Sequence, residues 1–368
     1  MSKKKHDYIG SALNVQKGVV QPSQVNPKVS EEFNRFKKDR LSTDTLYDGI
    51  IAEDRTLLSR GITLIESSLL SDKKASQELI RKCLPHSGRS IRIGISGVPG
   101  AGKSTFIETF GINLINNGHK VAVLAIDPSS TRTKGSILGD KTRMEILSIN
   151  PNAFIRPSAT KGTIGGVTRA TQEAVILCEA AGFNIILIET VGVGQSETEV
   201  SQMVDFFLLL MIAGGGDELQ GIKRGIIEIA DLIVINKADG DNIKKAELAA
   251  SIYSNALHLF PPLINGWTPE VLTASAMGNT GINEVWDKVS EFISLTKSNG
   301  FFDNNRRKQA INILNKSIEE NLKASFYNNT EISKLIDDYH KSILNDDINP
   351  YEVAQELLHK YFKDVKGE

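Results

Sequence analysis

A glycine-rich stretch with one lysine and one serine is the part of this sequence whose residue types and spacing indicate chemistry most directly. Residues 97–104 read GVPGAGKS and fit the phosphate-loop pattern G-x-x-x-x-G-K-[ST]. Glycines let consecutive amide groups face a polyphosphate, and a helix beginning near Lys103 adds its positive end. We predict that Lys103 contacts the β and γ phosphates of a nucleotide and that the Ser104 hydroxyl coordinates Mg²⁺. The predicted phosphate-binding residues are Gly97, Val98, Pro99, Gly100, Ala101, Gly102, Lys103, Ser104 and Thr105.

A second motif, Asn236-Lys237-Ala238-Asp239, predicts which base the nucleotide carries. It directly follows the apolar run DLIVI, residues 231–235, which reads as a buried strand. The Asp239 carboxylate can accept hydrogen bonds from the N1–H and the exocyclic amine of guanine, whereas adenine has neither donor at that edge. We therefore predict that Asn236, Lys237 and Asp239 bind guanine.

A short segment of small side chains follows the last apolar run of the nucleotide domain. Its residues Ser275, Ala276 and Met277 are predicted to close over the base, with backbone groups and small side chains in contact with it. An ordinary turn from a strand to a helix fits the same residues, so the assignment depends on the guanine motif that precedes it.

Three further carboxylates stand where a magnesium and phosphate centre would need them. Asp127 and Glu189 each follow an apolar run that reads as a strand, and Asp140 lies in a long polar segment after Asp127. The carboxyl ends of parallel strands meet at one edge of a sheet, which favours a functional role for the first two. Each of the three could equally cap a helix or carry a solvated charge. With Ser104 they form the predicted Mg²⁺ ligand set, and with Lys103 they are predicted to be catalytic.

The elements that position these residues alternate between strand and helix patterns. This alternation predicts an α/β fold with a mainly parallel, doubly wound sheet of the P-loop NTPase type. Ligand chemistry is then expected at the carboxyl ends of the strands. The predicted strands are 91–95, 120–126, 153–157, 183–188, 205–212, 231–235 and 271–274, the flanking helices include 106–117 and 167–181, and a second glycine-rich loop is predicted at 160–166.

The segments on either side of the sheet are predicted to be helical. Residues 44–84 carry Leu and Ile close to a 3.6-residue period, and Ser71 is predicted to cap a helix within them. Apolar stripes at 311–322 and 332–343, and a capping box at Asn349, predict three tail helices whose apolar faces pair in a two-fold homodimer. The predicted division is a poorly ordered arm 1–43, a helical segment 44–88, a P-loop domain 89–299 and a helical dimerisation extension 300–368.

The composition bears on partners and compartment. The 43 Lys plus Arg nearly balance the 44 Asp plus Glu, so neither nucleic acid nor a membrane is predicted as a partner. The two cysteines, Cys83 and Cys178, lie far apart in no metal-binding spacing, which indicates a reducing compartment. No apolar run reaches the roughly 20 residues of a membrane span, and the start of the chain lacks the apolar core of a signal peptide. A cytoplasmic protein is predicted.

Several motifs in a fixed order make the sequence resemble one family. It is similar to the MeaB/ArgK family, the methylmalonyl-CoA-mutase-associated GTPases, which includes the methylmalonic aciduria type A proteins. The similarity runs from about residue 50 to residue 300, and the three-helix tail has the layout of the family. The motifs are the phosphate loop, AIDPSS, SILGDKTRM, RPSATKGTIGGVTRAT, ETVGVGQSE, AGGGDELQGIKRGIIEIAD and NKAD.

This resemblance implies a specific activity and specific partners. It implies a homodimeric chaperone that hydrolyses GTP to GDP, uses Mg²⁺, and serves an adenosylcobalamin-dependent acyl-CoA mutase by gating cofactor loading and protecting the enzyme. It implies that residues 136–144 and 192–197 are switch loops I and II. It also implies that Gln220 and Lys223 belong to a third switch loop, which contacts the mutase and promotes hydrolysis, so that Lys223 joins the catalytic residues.

Two other functions fit parts of the sequence. Some ArgK-type members carry the label of a kinase or ATPase linked to amino-acid transport, but an ATP enzyme has no use for a carboxylate at Asp239 that reads guanine. A nickel-inserting metallochaperone needs imidazole or thiolate ligands close together, whereas the six histidines are scattered and no C-x-x-C motif occurs.

Overall fold

The apolar runs of the sequence form the strands of an α/β fold. The computed structural model describes residues 41–67, 69–126, 144–157, 164–190, 196–214, 224–261, 263–344 and 348–366. The predicted arm at 1–43 therefore lies almost entirely outside the described residues. The strands are β1 (Ile91–Gly97), β2 (Val121–Ile126), β3 (Ala153–Arg156), β4 (Ile185–Thr190), β5 (Phe206–Ile212), β6 (Leu232–Asn236) and β7 (Glu270–Thr273).

These strands form one sheet that confirms the predicted parallel α/β fold. Within the described part of the chain the sheet has seven strands in the order β3-β2-β4-β1-β5-β6-β7. Each pair of neighbouring strands is parallel. Strands β2, β4 and β6 are buried at every residue, which is why 121–126, 185–188 and 232–235 are continuous apolar runs and not alternating ones. Because β1 is central, the loop that follows it lies at the middle of the carboxyl edge.

The helices predicted within 44–84, at 106–117, at 167–181 and in the tail are present, and several of them begin earlier than predicted. The first tail helix, predicted from a stripe at 311–322, is a much longer helix. Among the described residues the helices are α1 (Thr43–Ile51), α2 (Arg55–Ile65), α3 (Leu70–Cys83), α4 (Lys103–Asn116), α5 (Glu145–Ile149), α6 (Ile164–Ala180), α7 (Ser196–Ser201), α8 (Arg224–Glu228), α9 (Ile243–Leu257), α10 (Ile282–Ser298), α11 (Phe301–Tyr327), α12 (Thr330–Leu344) and α13 (Pro350–Lys366).

Two of the early starts correct specific predictions, the Ser71 cap and the second glycine-rich loop. Ser71 does not cap α3, because the helix begins at Leu70 and Ser71 is its second residue; the N-cap residue is Leu69, which makes no side-chain capping bond. The hydroxyl of Ser67 donates to Asp72 at 2.6 Å and accepts from the Leu69 amide at 3.3 Å. The glycine-rich loop predicted at 160–166 was wrong for its last residues, because α6 already begins at Ile164.

A buried charge network fastens the tail helix α11 to the amino ends of the central strands. The guanidinium of Arg306 makes two hydrogen bonds to the Asp205 carboxylate, at 2.7 and 2.6 Å, and a third to the Ser90 carbonyl at 2.7 Å. Asp205 also accepts from the amide of Arg92 at 2.8 Å. Because the Asp205 carboxylate is buried, the pairing offsets the cost of removing it from water. The beginning of α11 is thus held against the sheet.

The far end of the tail has a small apolar core of its own. Ile332 of α12 packs with Val353, Leu357 and Tyr361 of α13, so the second predicted stripe is largely covered within the chain. The stripe on α11 stays exposed: Ile311, Leu314, Ile318 and Leu322 have between 49% and 58% of their surface accessible. No described helix has the length and apolar character needed to cross a bilayer. The proposed division into arm, helical segment, P-loop domain and dimerisation extension stays a prediction.

Candidate functional site

The phosphate loop connects β1 to α4 at the centre of the carboxyl edge. Its turn is closed by a hydrogen bond from the Ala101 amide to the Val98 carbonyl, at 3.1 Å. Gly102 has a φ of 81°, in the left-handed region that favours glycine. Gly97 is required for a different reason, because a Cβ there would lie 2.3 Å from the carbonyl oxygen of Leu210 on β5. The glycines therefore fit this loop by conformation and by close approach.

Lys103 is the first residue of α4, and its side chain folds back over the loop. Its Nζ donates to the Gly97 carbonyl oxygen at 2.9 Å. Burial lowers the pKa of Lys103, while the nearby carboxylates of Glu189 and Glu197 act in the opposite direction and favour its charged form. A lysine that is partly desolvated and held by one carbonyl can exchange that carbonyl for a phosphate oxygen, which is a far stronger partner.

The carboxyl end of β4 lies beside β1 and brings a carboxylate to the same place. Glu189 is level with Ile95 of β1 in the sheet register and is only 6% exposed. The next residue, Thr190, donates from its hydroxyl to the Ser96 hydroxyl at 2.8 Å, and both residues are buried. This bond ties the two strands together where their loops leave the sheet. The sequence reasoning missed Ser96, although its place directly before Gly97 was a signal.

The guanine motif lies directly against the phosphate loop. The side chain of Asn236 donates from Nδ2 to the Ala101 carbonyl at 2.8 Å, and its Oδ1 accepts from the Ala276 amide at 3.2 Å. Lys237 adopts a φ of 61°, and a Cβ at Gly102 would lie 3.7 Å from its Cε. Asn236 thus connects three segments that are distant in sequence.

Asp239 and the segment after β7 meet at the edge of the same site. The Ser275 hydroxyl donates to Oδ2 of Asp239 and accepts from the Gly278 amide at 2.9 Å. Ser275 is fully buried and forms a bridge with Thr280, whereas Asp239 itself is exposed. Of the three residues predicted to close over the base, Ser275 and Ala276 make hydrogen bonds to the guanine motif, whereas Met277 is 88% exposed.

Several predicted site residues lie outside the described residues. These are Asp127, Asp140, Gln220 and Lys223, together with most of the two switch loops at 136–144 and 192–197. Among the residues that are described, no group of three His, Cys, Asp or Glu side chains is arranged to hold a metal ion. Of the predicted magnesium ligands, Ser104 and Glu189 are therefore the two that the structure places, both beside Lys103.

Comparison with known proteins places this site in a family. A family model described as methylmalonyl Co-A mutase-associated GTPase MeaB matches residues 58–331. A Caulobacter vibrioides protein described as a putative GTPase is 49% identical, over 86% of this chain and 97% of the relative. The mouse mitochondrial methylmalonic aciduria type A homolog is 45% identical, over 89% of this chain and 81% of the relative. The crystal structure of a LAO/AO transport system kinase has a TM-score of 0.69 and 36% identity, covering 86% of this chain and 96% of that one.

The matched range contains every element of the site described above. It includes the phosphate loop at 97–105, the guanine motif at 236–239 and the segment after β7. The predicted enzyme class is confirmed, because the family model and the Caulobacter relative are both described as GTPases. The chain binds GTP and GDP, hydrolyses GTP, and belongs to the MeaB family of methylmalonyl Co-A mutase-associated GTPases.

Proposed function

We propose that this GTPase is a chaperone of an adenosylcobalamin-dependent acyl-CoA mutase of the methylmalonyl-CoA mutase type. GTP hydrolysis gates the loading of the cobalamin cofactor and protects the mutase from inactivation. The observation that carries the proposal is the family match over residues 58–331, whose description names that mutase. The name of the mouse relative, after methylmalonic aciduria, supports the same partner. The proposal places the protein in the cytoplasm, in keeping with its two buried free thiols.

The chemistry at the site follows from what phosphoryl transfer needs. The reaction requires in-line positioning and an offset for the charge that develops on the phosphate oxygens. The amides of the phosphate loop and the charge of Lys103 supply that offset. Hydroxyl and carboxylate oxygens are ligands that Mg²⁺ prefers, so Ser104 and Glu189 fit this ion, which when bound neutralises phosphate charge. Asp127 and Asp140 are proposed to complete this centre or to position the attacking water.

The remaining residues are proposed to recognise the guanine base and the mutase. Asn236, Lys237 and Asp239 hold guanine, and the segment of Ser275, Ala276 and Met277 closes over it. The loop with Lys223 is proposed to contact the mutase and to promote hydrolysis when the two proteins are docked.

A direct test measures GTP hydrolysis with and without a purified adenosylcobalamin-dependent mutase. We expect the mutase to change the hydrolysis rate and to form a complex whose affinity differs between GDP and a non-hydrolysable GTP analogue. The protein without a mutase and an unrelated acyl-CoA enzyme are the controls. If several such mutases leave the rate unchanged and form no complex that depends on the nucleotide, the chaperone proposal is wrong, although the GTPase assignment stands.

The exposed stripe on α11 supports the proposed homodimer. The row of apolar side chains along one face of α11 exposes more apolar surface than a monomer normally does. Pairing of two copies about a two-fold axis would cover this row on each copy. We expect Leu314→Glu to convert a dimer into a monomer, because it places an unpaired charge in the interface. Sedimentation at micromolar concentration checks this. Leu259→Glu, at a residue that is 82% exposed outside the stripe, is the matched control. A wild-type chain that sediments as a monomer would contradict the homodimer.

A second candidate function has one observation in its favour. The solved structure with 36% identity is described as a transport system kinase, a function that would use ATP. Comparing GTP with ATP as substrate separates the two functions, because only a guanine nucleotide satisfies the carboxylate of Asp239.

A further inference from the structure

We propose that Thr109 and Asn113 on α4 are positioning residues for guanine recognition. They hold the loop of residues 275–280, which we name the base loop, in place over the nucleotide site. This inference rests on the proposed guanine site and adds two residues that contact neither phosphate nor base. Both residues lie on α4, which begins at the phosphate loop, so they connect the phosphate loop to the base loop.

Thr109 holds the base loop through the backbone of Ala276. Its hydroxyl lies 2.9 Å from the Ala276 carbonyl oxygen and 3.1 Å from the Thr105 carbonyl oxygen of its own helix. The amide of the same residue, Ala276, donates to Asn236. The peptide groups of Ala276 are therefore fixed on one side by the guanine motif and on the other by α4.

Asn113, one helical turn farther along, holds the outer part of the base loop. Its Nδ2 donates to Oδ1 of Asn279 at 2.8 Å and to Oδ1 of Asn283, at the start of α10, at 3.1 Å. Asn279 has a φ of 48°, a conformation that non-glycine residues adopt only rarely. Asparagine tolerates the left-handed region better than most residues do. The hydrogen bond from Asn113 to the Asn279 side chain helps to stabilise this conformation.

These polar contacts matter because little packing holds the outer part of the base loop. Residues 277–280 are all exposed, so burial of apolar surface cannot fix them. The bonds instead form a closed circuit, from the Ala101 carbonyl through Asn236 and Ala276 to Thr109 on α4. Since α4 starts at Lys103, this circuit connects the phosphate loop to the base loop. Loss of the hydrogen bond from Thr109 or from Asn113 should weaken guanine binding without removing a group that acts on phosphate.

The test compares GDP affinity and steady-state hydrolysis in four variants of the full-length protein. Thr109→Val keeps the shape and β-branching of the side chain but removes the hydroxyl, and Thr109→Ser restores it. Asn113→Ala removes the second contact with the base loop. Because Asn113 is only half-buried, this substitution should disturb folding little. Ser251→Ala on α9 is the control, because among the residues that the structure describes the Ser251 hydroxyl bonds to the Glu247 carbonyl of its own helix and to no part of the site.

We expect Thr109→Val and Asn113→Ala each to weaken GDP binding about fivefold, the effect of losing the one neutral hydrogen bond that each side chain makes to the base loop. The KM for GTP should rise by the same factor while kcat at saturating GTP stays at the wild-type value. Thr109→Ser and the control should bind like wild type. Unchanged GDP affinity in both variants, failure of Thr109→Ser to restore it, or a fall in kcat alone would overturn the inference. Failure of the wild-type chain to bind GDP would instead contradict the guanine site itself.

Discussion

Replacing Lys103 by alanine is expected to abolish measurable GTP hydrolysis and to weaken GDP binding by about tenfold to a hundredfold. The affinity estimate corresponds to one charge-assisted contact of about 1.5–3 kcal/mol. Hydrolysis should suffer more, because negative charge builds up on the transferred phosphoryl group and Lys103 is the cation beside it. In the structure its Nζ donates to the Gly97 carbonyl, and Glu189 and Glu197 lie near enough to favour its charged form, so the substitution removes the cation that is placed to meet the phosphates.

The control for this variant is Lys244→Ala, which removes an exposed lysine from the first turn of α9. Both variants should keep the wild-type circular dichroism spectrum, because the hydrogen bond from Lys103 to Gly97 contributes only modestly to folding. Single-turnover hydrolysis separates loss of binding from loss of chemistry. If Lys103→Ala hydrolyses saturating GTP at the wild-type rate, the phosphate-loop assignment is wrong.

The sheet could be predicted from the sequence because most of its strands are buried on both faces. Apolar runs such as 121–126 and 185–188 have no polar face, and the observed strand ends differ from the predicted ones by only a few residues. The start of α6 was predicted too late because Gly165 and Gly166 suggested a loop. A glycine costs a helix only about 1 kcal/mol, which the burial of Leu177 and Cys178 farther along α6 outweighs.

The site could be predicted in its parts but not in its connections. Spacing identified the phosphate loop and the guanine motif, because each motif is local in sequence. The bonds between them depend on strand order, which places β1 and β6 on either side of β5. No local pattern predicts that Asn236 reaches Ala101, or that the hydroxyl of Ser275 meets Asp239. The same limit explains why Thr109 stood out only once α4 and the base loop were seen together.

The exchange of Asp239 for asparagine is expected to weaken GDP binding by about a hundredfold or more. The carboxylate can accept two hydrogen bonds from the N1–H and the amine of guanine, each of which a charge strengthens to about 1.5–3 kcal/mol. The amide of asparagine offers one acceptor and turns a donor toward the donor of the base, so one bond is lost and a mismatch is added. Isothermal titration with GDP measures the loss.

Xanthine provides a test with the opposite sign for the same Asp239→Asn variant. Xanthine carries a carbonyl oxygen where guanine carries the amine, so an asparagine amide can donate to it while its oxygen accepts from N1–H. The variant should therefore bind xanthosine diphosphate more tightly than the wild-type protein does, by a factor comparable to its loss for GDP. Asp241→Asn, which removes the same charge from the adjacent turn, is the matched control and should change neither affinity. If Asp239→Asn binds GDP as wild type does, or loses both nucleotides equally, the carboxylate does not read the base, and the argument against an ATP-dependent transport kinase loses its basis.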